Sequence, residues 1–346
     1  MKILVTGSAG HLGEALMRCI GDPNGPGGMQ GAQAIGLDAK RSPYTHLVGS
    51  ITDMAFVREA CVGVDVILHA ATLHKPHLVT HSRQAFLDVN VTGTLNLLEA
   101  AHEAGVRAFV YTSTTSTFGD AMAAGPGSPA VWVNEQLRVQ PKNIYGVSKV
   151  AAENLCELFS RNQSLPCVVL RTSRFFLEVD DDEGARASFN DDNLKVNELL
   201  YRRVDIADLV SAHVCAIEYA QSHAFGRFVI SAPTRFRPTD SKLLGRDAAS
   251  VVRSYYPEYE SIYESKGWLM MPSVGRVYDA QLACGELGWR PRYDFARAVI
   301  ALRQGGDVFS PLARAVGVKG YHDNAFDTAL GGAPYPVNEL PGACGD

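Results

Sequence analysis

Along the first two-thirds of the chain, short apolar, β-branched runs alternate with stretches whose apolar positions recur at helical spacing. Runs at 2–6, 33–38, 47–51, 64–70, 107–113 and 166–171 read as strands, and 11–20, 53–61, 82–104 and 143–161 as helices between them. This rhythm predicts α/β architecture, a doubly wound parallel sheet of Rossmann type with helices on both faces. The 82–104 stretch is apolar on several faces, including Leu87, Val89, Val91, Leu97 and Leu98. Such a helix is expected to be buried against the sheet or a partner subunit.

Two stretches break the pattern. Gly21–Gly28 and Gly125–Pro129 are rich in Gly and Pro and read as loops. From about residue 174 the alternation weakens, an acidic run appears at Asp180–Glu183, and an aromatic cluster follows at Tyr255–Tyr259. The expected division is a dinucleotide-binding domain over 1–173, with strands such as Phe228-Val229-Ile230 returning around 204–232. A smaller substrate-binding region then spans 174–203 and 233–346. The tail from 309 shows little periodicity and is expected to drape on the surface or remain disordered.

Composition narrows the class. A length of 346 residues suits one large or two modest domains, and the formal net charge of −5 offers no basic footprint for nucleic acid. No apolar run approaches the roughly 20 residues that a membrane-spanning helix needs. The seven cysteines (Cys19, Cys61, Cys156, Cys167, Cys215, Cys284 and Cys344) are odd in number and never spaced as CxxC. They read as reduced thiols of a cytoplasmic protein, without a disulfide framework or metal site.

The first chemical signal is Gly7-Ser8-Ala9-Gly10-His11-Leu12-Gly13, which follows a strand and opens a helix. Gly7 permits a tight turn, Gly10 lets the backbone approach a pyrophosphate, and Gly13 allows close helix–strand packing. The helix's first N–H groups would receive the negative charge. Asp38 ends the next strand, where a carboxylate accepts hydrogen bonds from ribose hydroxyls and repels a 2′-phosphate. That favours NAD over NADP, with Lys40 and Arg41 as the opposing signal.

The second signal is Tyr145 and Lys149, four apart at the start of a helix and so on one face. A free phenol titrates near 10. A neighbouring ammonium, together with an oxidised nicotinamide, is expected to lower that value and make Tyr145 a usable base. The pair follows a strand ending in Thr112-Ser113-Thr114, whose hydroxyls would lie at the carboxyl edge where open α/β sheets bind ligands. Thr114 or Ser113 would then hydrogen-bond the reacting oxygen.

Together these residues resemble the extended short-chain dehydrogenase/reductases, also called the NAD-dependent epimerase/dehydratase family. The resemblance rests on Thr6–Gly13, Asp38, Leu68–Ala71, Asn90–Thr94, Ser113-Thr114, Tyr145 with Lys149, Leu170-Arg171, Asp205–Asp208 and Glu286–Pro291. It spans roughly 1–230 and 276–300. It implies a catalytic set of Thr114, Tyr145 and Lys149. It also implies a cofactor surface that adds Ala9, His11, Leu12, Ser50, Ile51, His69, Ala70, Ala71, Asn90 and Thr112 to the glycines and Asp38. Ser50 replaces an acidic residue common near the adenine. Thr114 is followed by Thr115-Ser116 where the family's dehydratases usually carry Asp-Glu, which argues against water elimination. A homodimer through the helices at 82–104 and 143–161 is likewise implied.

Around this centre, Ser113, Thr115 and Arg174 are candidate substrate contacts. Arg171, Arg174, Arg202 and Arg203 suggest an anionic sugar or phosphate. His74, His77 and His81 could touch substrate, bind a metal, or be ordinary surface residues; no metal is expected. Asp180–Asp182, Asp191 and Asp192 read as a solvated acidic lid. Three activities remain open: an epimerase acting on a sugar or nucleotide sugar through a transient ketone, a dehydrogenase or reductase with net NADH turnover, and a cofactor-sensing binding protein.

Overall fold

The computed structural model describes residues 1–20, 22, 28–180 and 182–320. The strands β1 (Lys2–Thr6), β2 (Gln33–Asp38), β3 (Leu47–Val48), β4 (Val66–His69) and β5 (Ala108–Thr114) belong to one sheet, which β7 (Cys167–Thr172) and β8 (Phe225–Ile230) complete. All seven are parallel, in the order β3-β2-β1-β4-β5-β7-β8. The chain runs outward from β1 to β3 and then restarts at β4 on the other side of β1. A crevice therefore opens between β1 and β4 at the carboxyl ends of the strands.

The sheet is buried on both faces, and period-2 alternation sorts its side chains into two cores. Ile3, Val5, Leu68, Val110 and Leu170 face one core, which receives Leu12 and Leu16 of α1 (His11–Cys19) and Leu209 and Val210 of a later helix, Ile206–Ala220. Leu4, Ile67, Phe109 and Val169 face the other. That side is covered by α2 (Met54–Ala60), α4 (Gly93–Glu103) and α5 (Ile144–Gln163), the last contributing Ala152, Cys156 and Phe159.

Three expectations are corrected. The strand at 47–51 shrinks to β3, because β2 ends at Asp38 and leaves residues beyond Val48 no partner. The helix at 82–104 is three pieces: α3 (Arg83–Leu87), a π-helical turn at Asp88–Thr92, and α4. One residue too many fits in that turn, and the Gly93 N–H reaches back to the Asp88 carbonyl. The described part of the tail, residues 309–320, packs against the core instead of draping on the surface. Phe309, Ala313 and Val316 bury on or beside the helix Pro311–Val316, against the first core, and Lys319 pairs with Glu14. Residues 321–346, including Cys344, lie outside the described residues.

A second, two-stranded parallel sheet joins β6 (Val131–Val133) to β9 (Arg276–Tyr278) across more than 140 residues. Trp132 donates to Asp279 at 2.9 Å beside it. The C-terminal part is tied to the start of the Ile206–Ala220 helix. Asp205 accepts from the Ser310 N–H, and Asp208 accepts from the N–H groups of Arg292 and Tyr293. The sequence motifs Asp205–Asp208 and Trp289-Arg290-Pro291 thus meet as one joint.

Candidate functional site

Gly7 sits at φ +76°, and a Cβ on it would lie 2.7 Å from the Ala71 nitrogen. A Cβ on Gly13 would lie 1.9 Å from the Gly7 carbonyl oxygen. The turn therefore packs between β1, β4 and α1 with no room for side chains. Gly10 caps α1 with no side-chain hydrogen bond to the helix's first amides. Asp38 reaches back to accept from the Ala9 N–H at 3.0 Å and from the Lys40 N–H at 2.8 Å. A carboxylate has about four acceptor positions, so lone pairs remain for two hydroxyls.

These residues border one cavity of about 610 Å³, within the range of cofactor and ligand sites. From the dinucleotide turn it takes in Gly7, Ala9, Gly10, His11, Leu12 and Gly13. From the strand ends come Asp38, Ser50, Ile51, Ala70 and Ala71, then Thr112 to Thr115. Tyr145, Lys149 and Arg174 line its further side. The cradle, the uncapped helix end and the cavity-lining Asp38 carboxylate fit a dinucleotide.

Two expected cofactor contacts do not line the cavity. His69 is buried behind it, its ring held between the hydroxyls of Thr6 (2.8 Å) and Thr94 (2.9 Å), and burial drives its pKa well below 6.5. Asn90 donates to the Leu73 carbonyl and to Ser148 and accepts from the Leu73 N–H. It ties the loop after β4 to the π turn and α5. Both residues position the walls and do not touch the space within.

Asn143 caps α5 through the Gly146 N–H, which places Tyr145 and Lys149 one turn into the cavity. Lys149 is 2% exposed; its ammonium donates to the Thr112 carbonyl at 2.7 Å and lies 4.1 Å from the centre of the Tyr111 ring. Burial lowers its pKa to about 7, against the raising influence of Glu153. Burial pushes the Tyr145 phenol up to about 12, and the hydroxyl of Thr114 pulls the other way. The expected depression of the phenol by its neighbour is therefore absent in the protein alone. Lys149 is committed to Thr112 and Tyr111, and desolvation dominates both groups.

The sequence reading missed Glu153. It is 1% exposed, accepts from Ser113 Oγ at 2.6 Å, and receives Arg171 through Nε (3.0 Å) and Nη2 (2.6 Å). The Ser113 hydroxyl is thus turned to Glu153 and away from a substrate role. The available signal was spacing: Glu153 lies four residues after Lys149, on the same buried face of α5.

The far end of the cavity is cationic. Asp180, expected in a solvated lid, is buried and binds Arg174 at 2.7 Å and Arg202 at 2.9 Å. Arg202 and Arg203 also share Glu198, whose carboxyl they hold far below the usual carboxylate range against its burial. Asp182 caps the helix Glu183–Ser188, Asp191 pairs with Lys195, and Asp181 lies outside the described residues. His74 and His77 border the cavity, and burial lowers His77 to about 4, helped by His81 and Lys40. Among the described residues no cluster of three or more His, Cys, Asp or Glu could hold a metal ion.

Fold and site define an NAD-dependent enzyme of the extended short-chain dehydrogenase/reductase type. The chain belongs to the NAD dependent epimerase/dehydratase family, whose sequence model matches residues 3–231. It is 26% identical over 330 residues to a UDP-glucose 4-epimerase of Rhizobium leguminosarum bv. trifolii, covering 86% of this chain and 94% of that one. A short-chain dehydrogenase/reductase superfamily protein from Agrobacterium tumefaciens, solved with bound NAD, has a TM-score of 0.61 at 23% identity, covering 88% of this chain and 98% of that one. DesIV, a dTDP-glucose 4,6-dehydratase from Streptomyces venezuelae, has a TM-score of 0.60 at 21% identity, covering 90% and 100%.

Proposed function

We propose that the chain interconverts or oxidises a secondary alcohol of a sugar or nucleotide sugar, with Tyr145 as acid and base and a transient ketone as intermediate. The observation that carries this is the meeting of Tyr145, Thr114 and Lys149 in the same cavity as the glycine turn and Asp38. NAD, held by the turn and Asp38, supplies a hydride acceptor and the positive charge of its oxidised ring. Tyr145 takes the hydroxyl proton as the carbon is oxidised and returns it when the carbon is reduced from the opposite face. Thr114 orients the reacting oxygen, and Lys149 stabilises the phenolate once the oxidised cofactor is bound. Thr115-Ser116 after Thr114 gives no acid–base pair for dehydration, which argues against water elimination.

Tyr145→Phe should lower turnover by about 10²–10⁴-fold with NAD binding retained; unchanged turnover would remove Tyr145 from the role of base. A second reading, a dehydrogenase, is separated by cofactor behaviour. NAD that co-purifies with no net gain in absorbance during turnover supports the epimerase, and steady NADH release supports the dehydrogenase.

A homodimer is the assembly this reading expects. Leu87 on α3 and Val147 and Leu158 on α5 are exposed apolar residues on the elements involved. Sedimentation as a monomer would contradict it. No helix among the described residues is long and apolar enough to cross a membrane. The six described cysteines are free, and a reducing, cytoplasmic setting suits them.

A further inference from the structure

We infer that Lys319 is a positioning residue for the cofactor: from a strap that follows the helix Pro311–Val316, it neutralises carboxylates packed beside the diphosphate-binding turn. This goes beyond the function proposed above and holds whichever reaction the chain performs. Lys319 also lies beyond residues 3–231, the part of the chain that the family model matches.

The carboxylates are Glu14 and Glu178, both buried. Glu14 lies on α1 four residues past Gly10, which sets it about 6 Å along the axis from the helix end that receives a diphosphate. Glu178 comes from the segment after β7. Its Oε1 lies 2.6 Å from Nε2 of His11, the first residue of α1 and part of the cavity wall. The ring of Phe176 backs that contact, with its centroid 5.8 Å from that of His11. An amino-terminal helix end favours one anion, but carboxylates within a Debye length of it, about 10 Å at 0.1 M salt, compete with the diphosphate for that field.

The strap answers both carboxylates at once. The helix Pro311–Val316 stops at Gly317, whose φ of +61° lets the chain turn. The Lys319 N–H donates to Glu178 Oε1 at 2.8 Å, and the Lys319 ammonium pairs with Glu14. Arg18 also reaches Glu14, at 2.8 Å, from a more exposed position where solvent weakens its charge. Burial pushes both carboxyls up, yet Lys319 and Arg18 on Glu14, and His11 and the Lys319 N–H on Glu178, leave both below their ordinary values. Both are therefore ionised at neutral pH. Without the Lys319 ammonium, a buried negative charge beside the diphosphate turn loses its better-shielded counter-ion.

The test is calorimetric titration of NAD into the full chain, stripped of bound cofactor, at low and high salt. Lys319→Met removes the ammonium and keeps the backbone donor to Glu178. It should weaken NAD binding about 5- to 30-fold at about 0.02 M salt, and the gap should narrow to under about threefold at about 0.5 M. Lys319→Arg should bind within about threefold of wild type. Adding Glu14→Gln to Lys319→Met should restore affinity to the same margin, because a neutral amide needs no counter-charge. A strap that merely props the helix would not be rescued by loss of its second partner. Cooperative melting without NAD checks that each variant is folded. Full affinity in Lys319→Met, a loss that salt does not change, or a double variant as weak as the single one would each overturn the inference.

Discussion

The two ends of the cavity are built on different physics. The dinucleotide end is made of backbone: a turn without side chains, an uncapped helix end, and one carboxylate that braces the turn through the Ala9 N–H. The distal end is made of long charged side chains: Arg174, Arg202 and Arg203 are held by the carboxylates of Asp180 and Glu198, and Arg276 lies over the Tyr278 ring. Backbone recognition is local in sequence, because a strand, a turn and a helix must be contiguous. The charged side chains that line the distal end come from positions as far apart as Arg174 and Arg276. The dinucleotide end can therefore tolerate little volume change, and the distal end little charge change.

The largest effect should come from the floor between the two ends. Arg171→Met leaves Glu153 buried beneath the catalytic strand without its principal ion-pair partner. Breaking such a pair costs about 3–5 kcal/mol, readable as a drop in the urea midpoint at unchanged slope. A loss under about 1 kcal/mol would show that Arg227, at 3.3 Å, suffices as a partner. Next in size is acid sensitivity at His213, whose ring accepts from or donates to Thr112 at 2.8 Å beneath the Lys149 anchor. Burial lowers its pKa to about 4. Its folded value lies below the unfolded one, so its stabilising effect is complete above pH 6.5 and fades as pH falls toward 4. Urea titrations of the wild type and His213→Asn between pH 7 and 4 should converge; parallel curves would exclude His213 as the source.

The volume half of the contrast is tested by two glycines. Gly13→Ala must push a methyl into the Gly7 carbonyl, and overpacking of that kind costs about 1–3 kcal/mol with loss of NAD affinity. Gly275→Ala, beside Arg276, meets nothing nearer than 3.7 Å and should stay within about 0.5 kcal/mol. Equal costs would erase the distinction between the ends.

The same contrast explains what was legible in the sequence. The glycine turn, Asp38, and Tyr145 with Lys149 stood out because each is a short-range pattern with a local cause. The π turn at Asp88–Thr92 did not, because one inserted residue barely disturbs an apolar period of 3.6. Its cause is tertiary, the Asn90 amide reaching Leu73 and Ser148. His69 and Asn90 show the limit of motif transfer: the residues stand in the expected places, but they serve the wall. The β6–β9 pair, and with it Arg276, was invisible because neither three-residue strand carries a signal without its distant partner. Asp180 looked solvated because its arginines are 6 and 22 residues away.

The smallest expected effect bears on the catalytic pair itself. If the ammonium of Lys149 already lowered the phenol in the protein alone, removing it would raise the Tyr145 titration by a unit or more. The structure says otherwise: burial lowers Lys149 to about 7, so it is uncharged where the phenol titrates, and the phenol's value follows from burial and Thr114. Lys149→Met in NAD-free protein should therefore move the ultraviolet titration of Tyr145 by less than about half a unit, with Tyr145→Phe subtracted to isolate its signal. Adding NAD to the wild type should lower that titration, and adding it to Lys149→Met should lower it less. A full-unit rise in the NAD-free variant would mean that the pair is activated before any ligand arrives, and that the backbone-built end is not waiting on its cofactor for charge.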